Sequence, residues 1–242
     1  MPARVERYLI LGGTAEAVTL ATTLMQTGEA EVITSLAGRT ASPASLPGLV
    51  RIGGFGGVDG LVCYLRAEGI TRVYDATHPF ARTISTNAAA ACRQTGIPLH
   101  VMRRPAWQPH PDDVWIKVET LEQAARALPS GARVFLALGS QYIRAFAHRK
   151  DCHFVVRMID APTSDLGFPN AHIILGKADA DWEKEKQVLE SHKITHVVAR
   201  NSGGDASYGK ISAARRLHIP VVMIARRDDE APENQTARCG IS

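Results

Sequence analysis

Along the chain, short runs of consecutive apolar and β-branched residues alternate with longer stretches in which apolar positions recur every three or four residues. The runs at 8–11, 31–36, 72–76, 98–102, 114–118, 133–138, 153–159, 172–175, 195–199 and 220–225 read as strands buried on both faces. Between most of them, the amphipathic stretches 15–26, 58–68, 81–95, 121–128, 141–148, 181–192 and 205–217 predict helices. Alternation of the two predicts an α/β fold built on doubly wound parallel sheet.

The two halves of this pattern repeat each other. GITRVYDATH and IPLHVMRR in the first half match KITHVVARNS and IPVVMIARR in the second, and RYLILGGT matches RVFLALGS, all at offsets of 122 to 126 residues. Collinear matches at a nearly constant offset predict a duplication, so the chain divides into two small Rossmann-like domains. The join lies between 105 and 131; with the division set at 120, the first domain covers 1–120, the second 121–227, and a polar, flexible tail follows over 228–242. Folds of this class bind ligands at the carboxyl ends of their strands, which predicts a ligand cleft between the domains.

Composition narrows the class of protein. The 242 residues are 45% hydrophobic and 21% charged, which excludes a disordered or fibrous chain. Lys and Arg exceed Asp and Glu by 28 to 24, a mild basic excess that suits an anionic small molecule. The four cysteines form no CxxC pair, residues 1–7 lack the features of a signal peptide, and no run approaches the roughly 20 apolar residues of a membrane span. A cytoplasmic protein with no membrane association is expected. No aromatic RNP pattern or basic helix points to nucleic acid, and HExxH, GxSxG and YxxxK are all missing; His192 and His196 straddle a predicted helix-to-strand junction, so no metal site is expected.

Candidate chemistry clusters where predicted strands end. Gly12, Gly13 and Thr14 lead from a strand into a helix beginning Ala15-Glu16, a turn suited either to tight packing or to a diphosphate at the helix N-terminus. The next strand ends Ser35-Leu36-Ala37-Gly38-Arg39 with no acid, which favours NADP(H) over NAD if a dinucleotide binds; Ser35 and Arg39 suit a 2′-phosphate. Gly53, Gly54, Gly56 and Gly57 surround Phe55, a flexible connector or a backbone wall with a ring for stacking. Asp75-Ala76-Thr77-His78-Pro79-Phe80 follows a strand. Helix capping explains Thr77 and Pro79, and leaves Asp75 and His78 as candidates for hydrogen bonding or proton delivery. In the second half, Arg200-Asn201-Ser202-Gly203-Gly204 occupies the matching position. The later Gly209-Lys210 falls short of a P-loop because Ile211 follows, so Arg200, Ser202 and Lys210 read as a basic rim for an anionic substrate.

In combination, GGTAEA (12–17), SLAGR (35–39), RIGGFGG (51–57), DATHPFA (75–81), RPAW (104–107) and NSGG (201–204) resemble the precorrin-6A reductase family of cobalamin biosynthesis, over nearly the whole chain. The resemblance implies NADPH-dependent reduction of one double bond of the precorrin-6A macrocycle to give precorrin-6B, with hydride passing to C19 and a proton to C18. It places Gly12 to Glu16 and Ser35 to Arg39 on NADPH, with Gly54, Phe55, Thr77 and His78 lining the nicotinamide. Gly56, Gly57, Phe80, Arg104, Arg200 and the Asn201 to Gly204 segment would face the macrocycle. Asp75, His78, Tyr208 and Lys210 are the candidate proton donors, beside water and the substrate itself. A monomer is expected. The alternatives are a cobalt-precorrin-6A reductase and a non-catalytic NADP-binding sensor.

Overall fold

The computed structural model describes residues 6–38, 46–162, 164–169 and 171–226, and every strand pairing among them is parallel. The first half runs β1 (Glu6–Leu11), α1 (Ala15–Thr27), β2 (Ala30–Leu36), β3 (Leu49–Ile52), α2 (Gly57–Ala67), β4 (Arg72–Asp75), α3 (Arg82–Thr95) and β5 (Leu99–Val101). The second half runs β6 (Trp115–Val118), α4 (Leu121–Arg126), β7 (Arg133–Ala137), α5 (Ser140–Ile143), β8 (His153–Met158), β9 (Ala171–Leu175), α6 (Trp182–Ser191), β10 (His196–Arg200), α7 (Gly209–Arg216) and β11 (Val221–Ile224).

The sheet orders are β3-β2-β1-β4-β5 and β6-β11-β10-β7-β8-β9. With β6 set aside, the second sheet repeats the first, β7 standing for β1 and β10 for β4. The duplication inferred from sequence is therefore also a duplication of topology. Strand residues alternate between faces: Leu9 and Leu11 pack with Leu61, Leu65 and Ala88, while Ile10 packs with Ala17 and Ala21 across the sheet. In the second domain Val134 and Leu136 join one cluster and Phe135 the other. Helix covering on both faces makes the buried strands continuously apolar.

Four features differ from expectation. The strand β3 overlaps the glycine-rich stretch read as a connector or a backbone wall; it is a four-residue edge strand whose short apolar run is broken by Arg51, with Leu49 56% and Ile52 60% exposed. The helix expected over 141–148 is a single α turn followed by a 3₁₀ turn at Arg144–Phe146. The helix expected from 205 starts at Gly209, because Tyr208 first closes a turn on the Asp205 carbonyl. The division at 120 is too late. Trp115–Val118 pairs with β11, Trp107 packs in the second core, and Asp113 holds Arg215 at 2.8 Å, so the chain passes between domains over 102–106. Arg39 and the segment 228–242, expected to be a flexible tail, lie outside the described residues.

Candidate active site

In the first sheet the chain winds outward from β1 in both directions, which opens a crevice beyond the carboxyl ends of β1 and β4. The turn after β1 is built tightly on one side and left open on the other. A Cβ at Gly12 would lie 2.9 Å from Thr34 Cγ2, whereas Gly13, at φ +106°, has no heavy atom within 4 Å of that position. Thr14 caps α1 by accepting from the Ala17 N–H and donates to the Ala76 carbonyl at 2.8 Å, tying the two strand ends together. Capping leaves the Ala15 amide in the first turn, where helix geometry supplies no internal partner.

Beside this turn, Ser35 is buried near the end of β2, Leu36 closes the strand, and Ala37 and Gly38 follow, exposed. Register places Ser35 opposite Arg51 of β3. The Arg51 guanidinium donates to Ser35 Oγ (3.2 Å) and to the Gly53 and Gly54 carbonyls (2.6 Å each), and stacks 3.8 Å over the Phe55 ring. Gly56 and Gly57 have positive φ and are exposed; Gly54 has neither a positive φ nor a neighbour within 4 Å of a Cβ. Nothing within the fold requires glycine at 54, so the position fits a ligand lying against the backbone.

At the end of β4, Asp75 is buried and accepts from the Thr77 N–H (3.1 Å) and hydroxyl (2.6 Å), while the Thr77 hydroxyl also meets Ser85 Oγ at 3.3 Å. This Asx turn engages the Asp75 carboxylate, which shapes the loop at the edge of the groove. His78 Nδ1 accepts from the Phe80 N–H at 3.3 Å, which leaves Nε2 to carry the proton of the neutral ring. Burial, followed by the charges of Arg200, Arg104 and Arg226, pushes the His78 pKa down to about 3. Asp75, Thr77, His78, Pro79, Arg82 and Ser85 line a shallow, solvent-open groove, bounded on its other side by Val101 to Arg103 and by Arg226 from the second domain.

The second domain meets this loop directly. The Arg200 guanidinium lies 4.5 Å from the Phe80 ring centroid and 4.1 Å from that of Tyr142, so it is sandwiched across the domain boundary. Other residues expected on the substrate are engaged within the protein. Asn201 accepts from the Trp107 N–H (2.7 Å) and donates to the Trp107 carbonyl (2.9 Å), and Trp107 Nε1 donates to the Gly204 carbonyl (2.8 Å). The Ser202 carbonyl accepts from Arg104 Nε (2.7 Å) and from Arg226 (3.1 Å). A Cβ on Gly203 would stand 2.0 Å from the Pro105 carbonyl oxygen, and one on Gly204 would stand 3.0 Å from Arg104. RPAW, at the crossing between the domains, and NSGG of the second domain thus form one latch. Arg104 extends it to Glu16 in α1 at 2.9 Å. Burial raises the Glu16 pKa, but its own backbone N–H and Arg104 outweigh that and hold it below the usual carboxylate value.

Tyr208 and Lys210 stand behind this latch and do not line the groove. The Tyr208 hydroxyl accepts from Arg215 at 2.6 Å, and its ring packs on Trp107. Lys210 is buried, donates to the Ser207 carbonyl, and lies over Trp107; burial lowers its pKa to about 8. The expected basic rim therefore changes membership: Lys210 and Ser202 are interior, while Arg82, Arg103 and Arg226 line the groove. Arg226 was legible in the repeat, since an arginine pair follows the last strand of each half. Arg51 lies inside a motif marked by its glycines, and only the register of β3 reveals its place.

Comparison with known proteins identifies the family and supports the fold. The family model described as "Precorrin-6x reductase CbiJ/CobK" matches residues 7–239. The precorrin-6A reductase of Rhodobacter capsulatus is 46% identical over 91% of this chain and 88% of its own, and that of Rhodococcus erythropolis is 43% identical over 95% and 92%. The cobalt-precorrin-6A reductase of Priestia megaterium is 28% identical over 90% and 89%. A solved structure of "CobK precorrin-6A reductase" superposes with a TM-score of 0.88 at 45% identity, covering 92% of this chain and 88% of that one. Two duplicated parallel-sheet domains, latched through RPAW and NSGG and matched over nearly their full length, place this chain in the precorrin-6x reductase family.

Proposed function

We propose that the chain reduces one double bond of precorrin-6A, giving precorrin-6B in the route to cobalamin, with NADPH as reductant. The observation that carries this reading is the groove at the carboxyl ends of the first sheet, lined by Arg82 and Arg103 and reached by Arg226 from the second domain. A ring bearing several carboxylates suits Arg82, Arg103 and Arg226 there. The glycine faces fit the cofactor: Gly13 and Gly54 leave backbone open where a dinucleotide would lie, and the described end of β2 holds Ser35 and no acid. When bound, NADPH supplies the hydride for C19, and C18 takes a proton.

The chain's own contribution is positioning. The Gly12 to Ala15 turn holds a diphosphate by backbone amides, and the Gly53 to Phe55 segment, bonded to Arg51 beside Ser35, faces the adenosine half of the dinucleotide. Neutral His78 donates from Nε2 to a carboxylate or carboxamide; at physiological pH it orients the reactants and is not a stored acid. The latch fixes the second domain over the groove.

The metal-free ring is favoured because relatives named precorrin-6A reductase match at 43 to 46% identity, against 28% for the cobalt-precorrin enzyme. The test compares kcat/KM for precorrin-6A and cobalt-precorrin-6A with NADPH. A preference for the metal-free ring is expected. A preference for the cobalt ring, or NADPH binding without turnover of either, would contradict the proposal.

A further inference from the structure

We infer that Arg51, carried by β3, recognises the adenosine 2′-phosphate and sets the preference for NADPH over NADH. This inference rests on the dinucleotide reading proposed above and assigns its specificity to one side chain. In a Rossmann unit the ribose meets the carboxyl end of the second strand, where an acid selects NAD and an arginine accommodates the 2′-phosphate. Here the end of β2 offers Ser35, and the parallel register sets Arg51 of the neighbouring strand directly opposite it.

The guanidinium is already held in place. Nη1 bonds Ser35 Oγ and the Gly53 carbonyl, Nη2 bonds the Gly54 carbonyl, and the planar group lies on Phe55 with Tyr64 beyond at 5.1 Å. All of these partners are uncharged. Other arginines of the structure stand against carboxylates: Arg7 with Glu31 and Glu68, Arg104 with Glu16, Arg215 with Asp113. Among the described residues no carboxylate pairs with Arg51. Of the five N–H groups of a guanidinium, three are used in these bonds, and among the described residues Nε and the second Nη2 proton meet no acceptor. Ser35 accepts from Arg51, and among the described residues its own proton has no acceptor, so it can donate to the same anion. A fixed, un-neutralised guanidinium beside a hydroxyl is the chemistry of a phosphate monoester site. The carrying loop is open as well, since a Cβ on Gly53 or Gly54 would have no neighbour within 4 Å.

The test is equilibrium binding to the full chain, by titration calorimetry and by reduced-nicotinamide fluorescence, with NADPH, NADH, 2′,5′-ADP and 5′-AMP. Arg51→Gln is expected to weaken NADPH and 2′,5′-ADP by roughly 10- to 100-fold, the range for a lost charge-assisted pair. NADH and 5′-AMP should hold their affinity, which also certifies that the variant is folded. Arg51→Lys keeps the charge without the fork and should retain part of the preference. Equal weakening of NADPH and NADH in both variants would make Arg51 a strut for the loop and overturn the inference, as would an undiminished NADPH preference. A wild-type chain that binds NADH as tightly as NADPH would overturn this inference together with the cofactor assignment.

Discussion

Acidification is expected to weaken the native state through His78. The ring is an acceptor for the Phe80 N–H and sits in the field of Arg200, Arg104 and Arg226, so the folded chain holds it neutral down to about pH 3, whereas the unfolded chain protonates it near 6.5. Between those values the unfolded state binds the additional proton, so stability falls as pH falls; above pH 6.5 the contribution is complete. Each pH unit in that window is worth about 1.4 kcal/mol, which gives about 2 kcal/mol between pH 7 and pH 5. Because the ring is only half-buried, roughly 1 to 2 kcal/mol is the expected range. The assay is urea denaturation of wild type and His78→Gln at both pH values, with urea chosen because guanidinium salts would screen the three arginines. Other histidines and carboxylates contribute to both proteins alike, so the difference between the two pH dependences isolates position 78. The variant should lose about 1 to 2 kcal/mol less than wild type on acidification. Identical pH dependences, or an imidazole resonance of His78 that titrates near 6.5, would refute the reasoning.

Two glycine substitutions separate the fold from the site. Gly203→Ala would set a methyl group 2.0 Å from the Pro105 carbonyl at φ +69°, and should cost about 3 kcal/mol or more in thermal or urea unfolding, with activity lost as the latch opens. Unchanged stability would show that the latch is dispensable. Gly54→Ala meets no protein atom within 4 Å and needs no left-handed backbone, so unfolding should shift by less than about 0.5 kcal/mol while NADPH affinity drops; undiminished affinity would remove this backbone from the cofactor site.

The fold was largely legible because its strands are buried on both faces, and short runs rich in apolar and β-branched residues, such as Val32 to Leu36 and Val221 to Ile224, suit a covered strand far better than a helix or a loop. Collinear repeats made the duplication visible, and the shared sheet order bears it out. The edge strand β3 escaped because it is only four residues long and Arg51 interrupts its apolar positions. The motif positions were legible, but not the partners of the residues in them. Arg104 meets Ser202 from 98 positions away and Trp107 meets Asn201 from 94 away, so sequence marked both segments while only the three-dimensional contact shows them holding each other. Lys210 illustrates the same gap: a lysine beside a glycine reads as a rim until α7 turns it onto Trp107.

The central claim is tested most directly by incubating the purified chain with precorrin-6A and NADPH and following both at once, the nicotinamide by absorbance and the tetrapyrrole by mass. The expected result is one NADPH oxidised for each macrocycle that gains two hydrogens. NADPH left unoxidised, or oxidised without any change in the mass of the ring, would contradict it.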